Sequence, residues 1–184
     1  MPASGVDESA FRRARIGDLR LAWSEAEPAS EEVGAAQPPL VLVHGFTGHR
    51  DDWIGVMPEL ARHRCVIAPD LRGHGNSEVI TDASGYSFDQ MVKDLHGLLE
   101  HLAIARCDLL GHSAGGMVAL RLALAHPESL RSLILLNTAP ETPKMLEREA
   151  WLSAVEIAEA RGMAALQSIL ESAFSAQDFA QRFE

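Results

Sequence analysis

Ser113 stands at the centre of the stretch GHSAG, with Gly111 and Gly115 two residues to either side. The apolar run CDLLGHS (107–113) predicts a strand and residues 115–125 predict a helix, so strand and helix meet with almost no loop between them. A turn this sharp forces its apex residue to a positive φ and requires small neighbours. We therefore predict that Ser113 is a nucleophile at a helix N-terminus, where developing negative charge is stabilised.

A second glycine-rich segment follows the predicted strand PLVLVHG (39–45). Its glycines let the backbone turn so that an amide faces the carboxyl end of the sheet. We expect the amides of Phe46 and Ala114 to form the oxyanion hole that acyl transfer needs. His44 has two interpretations, a catalytic base or a histidine that orders the loop by binding nearby backbone. The second is favoured.

A third motif, PDLRGHGNS (69–77), also follows a predicted strand. Asp70 has the chemistry of a catalytic acid, but the glycines and polar side chains around it are typical of a structured turn. We expect Asp70 to pair with Arg72 and to hold backbone amides. His74 and Ser77 are expected to belong to the same turn.

The remaining elements predict an α/β fold with a mostly parallel sheet. Two segments, AFRRARI and LRLAWSEA, flank Gly17–Asp18 and predict a hairpin. Apolar spacing predicts a helix over 88–102, begun by a capping box at Ser87. Four apolar runs are typical of strands buried on both faces, and the helical segments alternate with them. These runs cover 39–45, 64–70, 107–113 and 130–137, with further helices over 50–61 and 115–125.

Composition excludes several classes of function. The chain has 16 Lys and Arg against 26 Asp and Glu, a net charge of −10. This balance argues against nucleic acid and anionic membrane partners, which need clustered positive charge. No apolar run reaches transmembrane length, and the N-terminus lacks the apolar core of a secretory signal. A cytoplasmic protein without a cofactor or a metal is expected.

Three motifs carry a resemblance to a known family. HGFTG (44–48), PDLRGHGNS (69–77) and GHSAGG (111–116), in this order and at these intervals, resemble the α/β-hydrolase superfamily, and within it the serine hydrolases that carry a helical cap. The resemblance covers the chain from about residue 10 to its end. It implies that Ser113 is the nucleophile and that Phe46 and Ala114 supply the oxyanion amides. Residues in supporting positions are His44, Gly45, Gly111, His112 and Gly115.

The resemblance also implies a domain organisation. The sequence by itself indicates a disordered leader over residues 1–9, and the resemblance implies the N-terminal part of an α/β-hydrolase core over 10–142 and the start of a helical cap over 143–184. The fold would be incomplete, with the first six strands of the sheet. In that family's sheet, the strand ending at Gly45 lies between those that carry Cys65 and Cys107. The two thiols would be roughly 9–10 Å apart, too far for a disulfide.

The rest of a catalytic triad is harder to find. In this family an acid and then a histidine follow the serine. The one histidine downstream is His126, at the far end of the helix that begins beside Ser113, on the order of 15 Å away. Asn137–Thr138–Ala139 offers no carboxylate after the sixth strand, and Glu141 is a weak candidate. We therefore expect the acid and the histidine in a missing C-terminal part.

These observations predict a serine hydrolase acting on an ester, thioester, lactone or related acyl bond of a small, largely apolar molecule. A serine nucleophile argues against haloalkane dehalogenases and epoxide hydrolases, which need a carboxylate there. Carbon–carbon bond hydrolases and perhydrolases share the serine and stay open. The alternative is a catalytically incompetent fragment or a non-enzymatic ligand-binding protein of the same fold.

Overall fold

The computed structural model describes residues 11–28, 37–140, 148–162 and 164–165. The chain divides into two compact units, Met1–Glu141 and Thr142–Glu184. The first contains a six-stranded sheet among its described residues. The strands are β1 (Arg12–Ile16), β2 (Leu19–Ala26), β3 (Leu40–Val43), β4 (Val66–Pro69), β5 (Cys107–His112) and β6 (Leu130–Leu136).

The sheet has the order β1-β2-β4-β3-β5-β6. The predicted hairpin is confirmed, because β1 pairs antiparallel with β2 across Gly17–Asp18. β2 is antiparallel to β4, whereas β3 to β6 run parallel to one another. As predicted, β3 lies between β4, which follows Cys65, and β5, which begins at Cys107. The carboxyl ends of the four parallel strands therefore share one edge of the sheet.

Two helices cover one face of the sheet. They are α2 (Phe88–His101) and α3 (Ala114–Ala125), and they follow a short helix α1 (Met57–Leu60). In β3 the side chains alternate: Val41 and Val43 enter the core with α2 and α3, while Leu40 and Leu42 pack with Met57 on the other face. A strand buried on both faces must be apolar throughout, which explains the run LVLV.

The sequence predicts one continuous helix over 50–61, and this prediction is wrong. The structure has a 3-10 turn over Arg50–Trp53 and the separate helix α1. Pro58 lacks the amide hydrogen that would bond to the carbonyl of Ile54, so a continuous helix cannot form there. The capping box at Ser87 is half formed: its side chain accepts from the Gln90 amide, but the Gln90 side chain lies 3.5 Å from Asp94.

The second unit contains one described α-helix, α4 (Arg148–Arg161), which ends at Gly162 with φ 79°. Leu152 and Val155 on this helix are about half exposed. The apolar residues Leu166, Ile169, Leu170 and Phe174 suggest a second helix in the sequence, and this segment lies outside the described residues. Over the described ranges, none of the helices combines the length and the apolar character that a membrane span requires.

Candidate active site

Ser113 sits at the junction of β5 and α3, as the sequence predicts. Its φ of 52° and ψ of −119° belong to the strained region expected at such an apex. The amide of Ser113 donates to the Leu136 carbonyl at 3.0 Å, and its own carbonyl accepts from the amides of Gly116 and Met117. Its side chain does not cap the helix. The backbone is thus fixed on both sides while the hydroxyl stays uncommitted to the helix end.

Two glycines allow the elbow to pack. A Cβ at Gly111 would lie 2.5 Å from the carbonyl oxygen of Gly115. A Cβ at Gly115 would lie 2.3 Å from the carbonyl oxygen of His44, at the end of β3. Both distances are far inside van der Waals contact, so any side chain would push α3 away from β3 and β5. The sequence expectation that small residues are required at these two positions is confirmed.

The loop after β3 passes directly beside the elbow. A Cβ at Gly45 would lie 3.2 Å from His112 Nδ1 and 3.3 Å from Ser113 Cβ. Phe46 follows, with a side chain that is 53% exposed and a carbonyl oxygen 2.5 Å from His74 Nε2. The residue predicted to supply an oxyanion amide therefore adjoins a glycine in contact with Ser113.

His44 is committed to backbone at both ring nitrogens. The Leu71 amide donates to Nε2 at 3.0 Å, so Nδ1 carries the hydrogen and donates to the Gly45 carbonyl at 2.7 Å. The residue is fully buried, and this burial lowers the pKa of His44 to about 4. This arrangement fits a histidine that ties the loop after β3 to the turn after β4. It leaves no nitrogen to act as a base.

Asp70 holds a turn, as predicted, but its partner is not Arg72. The fully buried carboxylate accepts from Arg50 Nη1 at 2.7 Å and from the amides of Arg50 and Asn76. β4 ends at Pro69, and the following turn directs Arg72 toward α2 instead. There the Asp94 carboxylate accepts from the Arg72 guanidinium at 2.5 and 2.7 Å, a contact that raises the pKa of Arg72. Asp70 is therefore a structural residue.

Thr138 is part of the elbow, although nothing in the sequence pattern indicated it. Its hydroxyl donates to the Ser113 carbonyl at 2.7 Å. A Cβ at Gly116 would lie 2.5 Å from the Thr138 methyl carbon, so the loop after β6 packs closely on the start of α3. The pairing spans 25 residues. Only the position of β6 beside β5 brings the two together.

Neither a histidine base nor a triad acid is placed beside Ser113 by the described residues. His126 is the C-cap of α3, at the end away from Ser113, where its ring stacks on His96 with centroids 3.8 Å apart. Asp108 lies near the amino end of β5, where hydrogen bonds from Arg131 above all lower its pKa to about 2. Glu141 lies outside the described residues.

One group among the described residues has the donor types of a metal site. One ligand atom from each of Glu25, Glu27 and Cys65 lies within 4.8 Å of the others. Burial, and then the neighbouring carboxylates, raise the pKa of Cys65 to about 12, which disfavours the thiolate that metals bind. Arg12 already pairs with Glu25 at 3.0 Å. Cys65 is half-buried, Cys107 is buried, and both are free thiols.

Known proteins resemble this chain in sequence. A family model described as alpha/beta hydrolase fold matches residues 38–161. A 2-hydroxymuconate semialdehyde hydrolase of Pseudomonas sp. (strain CF600) is 45% identical over 104 residues, 55% of this chain and 36% of that protein. A pimeloyl-[acyl-carrier protein] methyl ester esterase of Aeromonas hydrophila subsp. hydrophila is 39% identical over 114 residues, 62% of this chain and 42% of that protein.

Solved structures agree with the fold. A hydrolase from Pseudomonas aeruginosa PA01 matches with a TM-score of 0.78 at 24% identity, over 97% of this chain and 64% of the other. At that identity the likeness concerns the fold alone. The chain spans less than half the length of the two curated relatives above.

Proposed function

Because the chain belongs to the α/β-hydrolase fold family, we propose that Ser113 is the nucleophile of a hydrolase that cleaves an ester, thioester, lactone or related acyl bond. The observation that carries the proposal is the geometry of Ser113. Its positive φ, its place between β5 and α3, and its contact with Gly45 are what an exposed serine nucleophile needs.

The proposed reaction has two stages. A histidine base takes the proton of the Ser113 hydroxyl while its oxygen attacks the carbonyl carbon of the substrate. The negative charge that forms on the carbonyl oxygen is stabilised by the amides of Phe46 and Ala114, aided by the N-terminus of α3. The leaving group departs with a proton, and water then releases the acyl group from Ser113. The histidine and its acid are proposed to lie in a C-terminal part of the whole protein.

The proposed substrate is a small, largely apolar acyl compound. Of the two relatives described above, one is named a hydrolase of 2-hydroxymuconate semialdehyde and the other an esterase of the methyl ester of pimeloyl-[acyl-carrier protein]. We further propose that residues 143–184 begin a helical cap. The apolar residues of this segment include Met145, Trp151, Leu152 and Phe174, of which Leu152 is described and exposed.

The second candidate function is ligand binding without catalysis, by a chain that does not turn over a substrate. It is favoured by His44, whose two nitrogens both bind backbone, and by His126 at the far end of α3. Without a base, a serine hydroxyl is a weak nucleophile. The 184-residue chain alone would then be a binding module.

Hydrolysis of p-nitrophenyl acetate and butyrate separates the two candidates. The whole protein is expected to turn over many times, and Ser113→Ala to lower kcat by at least about 1,000-fold. Ser84→Ala, at an exposed 3-10 turn, is the matched control and should keep full activity. Activity that survives Ser113→Ala would refute the proposed nucleophile. Repeated, Ser113-dependent turnover by the 184-residue chain would refute the binding-module candidate.

A further inference from the structure

Three arginines share one face of the hairpin formed by β1 and β2. Arg13 and Arg15 are two residues apart on β1, so their side chains project to the same side. Arg15 lies directly opposite Arg20 on β2, which adds a third side chain to that face. All three are exposed. We call Arg13, Arg15 and Arg20 the arginine patch.

The arginine patch lacks carboxylate partners among the described residues. Arg13 donates to the Asn76 carbonyl at 2.6 Å, and Arg15 donates to the Asp18 carbonyl at 3.1 Å. These bonds orient two guanidinium groups without neutralising them. Elsewhere in the described chain, Arg106 and Arg121 also donate to backbone carbonyls, whereas six arginines have a carboxylate within 4.0 Å: Arg12, Arg50, Arg62, Arg64, Arg72 and Arg131.

Glu78 is a carboxylate beside the patch, and backbone amide contacts hold it there. Glu78 Oε2 accepts from the Arg20 amide at 2.8 Å, and the Glu78 amide donates to the Arg20 carbonyl at 2.9 Å. Among the described residues that line the surface depression here, three are arginines and one is a carboxylate residue. A like-charge pair directly across two strands, such as Arg15 and Arg20, is destabilising by itself. A bound anion would offset this local excess of positive charge.

The patch also has a concave shape. Its three arginines line a depression of about 530 Å³ with Asn76, Ser77 and Glu78. That volume is in the range of small-molecule sites. Guanidinium forks bind phosphate oxygens in pairs, and several of them together favour a multiply charged ligand over a single carboxylate. Nucleic acid does not fit, because the rest of the chain would repel it.

We propose that the arginine patch binds a small ligand through a phosphate or pyrophosphate group. The site is separate from the elbow: β2 and β5 are three strand spacings apart in the sheet, roughly 14 Å. The proposal does not depend on the proposed hydrolase function. A protein without esterase activity would still bind the anion, and an esterase without the anion site would still turn over.

Calorimetric titration with inorganic pyrophosphate tests the proposal. The purified protein is expected to bind with a dissociation constant that rises about 10-fold in Arg15→Ala and again in Arg20→Ala, because each change removes a charge-assisted pair of hydrogen bonds. Arg15→Lys keeps the positive charge but loses the paired N–H donors of the guanidinium group, so the affinity for pyrophosphate is expected to fall several-fold. Arg62→Ala, which removes an exposed arginine paired with Glu59, is the matched control and should leave binding unchanged.

A second measurement guards against a folding effect. In the absence of pyrophosphate, Arg15→Ala should not lower the thermal midpoint, since it removes the repulsion with Arg20. Pyrophosphate should raise the midpoint of the unaltered protein and not that of the Arg15→Ala, Arg20→Ala double variant. The proposal is overturned by the lack of binding at millimolar pyrophosphate, by binding that survives the double variant, or by an equal loss in Arg62→Ala.

Discussion

Gly45 lies so close to Ser113 that a side chain at position 45 would crowd the elbow after β5. A Cβ added to Gly45 would be 3.3 Å from Ser113 Cβ. The two residues are 68 positions apart, and the parallel pairing of β3 with β5 brings them together. We infer that this close approach sets the position of the Phe46 amide relative to the serine, as the proposed oxyanion hole requires.

Gly45→Ala should damage activity more than stability. The new methyl group would lie 3.2 Å from His112 Nδ1 and 3.3 Å from Ser113 Cβ, and a shift of a few tenths of an ångström would relieve this crowding. We expect kcat of the whole protein on p-nitrophenyl butyrate to fall about 10- to 100-fold, since misplaced donors stabilise the oxyanion poorly. The unfolding midpoint in urea should change little.

Gly55→Ala is the matched control for this change. A Cβ at Gly55 meets no atom within 4 Å, and the residue lies in the loop between Arg50–Trp53 and α1. Its kcat should equal that of the unaltered protein. Full activity in Gly45→Ala would show that this contact does not position the catalytic groups.

Acid should destabilise the protein through His44. Its pKa is about 4 in the folded chain, because burial disfavours the charged ring, and about 6.5 when unfolded. As the pH falls, His44 therefore takes up its proton in the unfolded state at a higher pH than in the folded state. The stabilisation is complete above pH 6.5 and is lost as the pH falls toward 4, by roughly 3 kcal/mol.

Urea denaturation at pH 7.0 and pH 4.5 measures this loss. In His44→Gln the free energy of unfolding should be lower at pH 7.0 but should fall less between the two pH values. His63→Gln removes an exposed histidine and should retain the pH dependence of the unaltered protein. An identical fall in His44→Gln would contradict the assigned role of His44.

The outer edge of β6 should make the 184-residue chain self-associate. β6 is the last strand of the described sheet, and Ile134, Leu135 and Leu136 are each at least 43% exposed. An apolar edge strand with unpaired backbone groups attracts other strands. Light scattering at tens of micromolar should show oligomers, and Leu135→Lys should reduce them. Leu124→Lys, on the exposed side of α3, is the control; a monomeric unaltered chain would contradict the prediction.

Local patterns were enough to predict the strands, α2, α3 and the elbow. In each case the information lies within a few residues: an apolar run, a helical stripe, or small residues beside Ser113. The strand order was available only from the resemblance. The prediction of a helix over 50–61 was wrong although the sequence contains a local signal against it, because Pro58 interrupts the helix.

Pairings between distant residues could not be predicted from the sequence. Asp70 pairs with Arg50, 20 residues away, and not with Arg72, which is two residues away. Arg72 pairs with Asp94 on α2. Thr138 reached Ser113 only because β6 lies beside β5. Each choice depends on where a turn directs its side chains after a strand ends, which spacing alone does not specify.

Covalent labelling of Ser113 tests the central claim most directly. The whole protein is incubated with a fluorophosphonate and digested, and the peptide that contains Ser113 is identified by mass spectrometry. We predict one phosphonylated residue, Ser113, with labelling lost in Ser113→Ala and retained in Ser84→Ala. Labelling that persists in Ser113→Ala, or none at all in the active protein, would contradict the account.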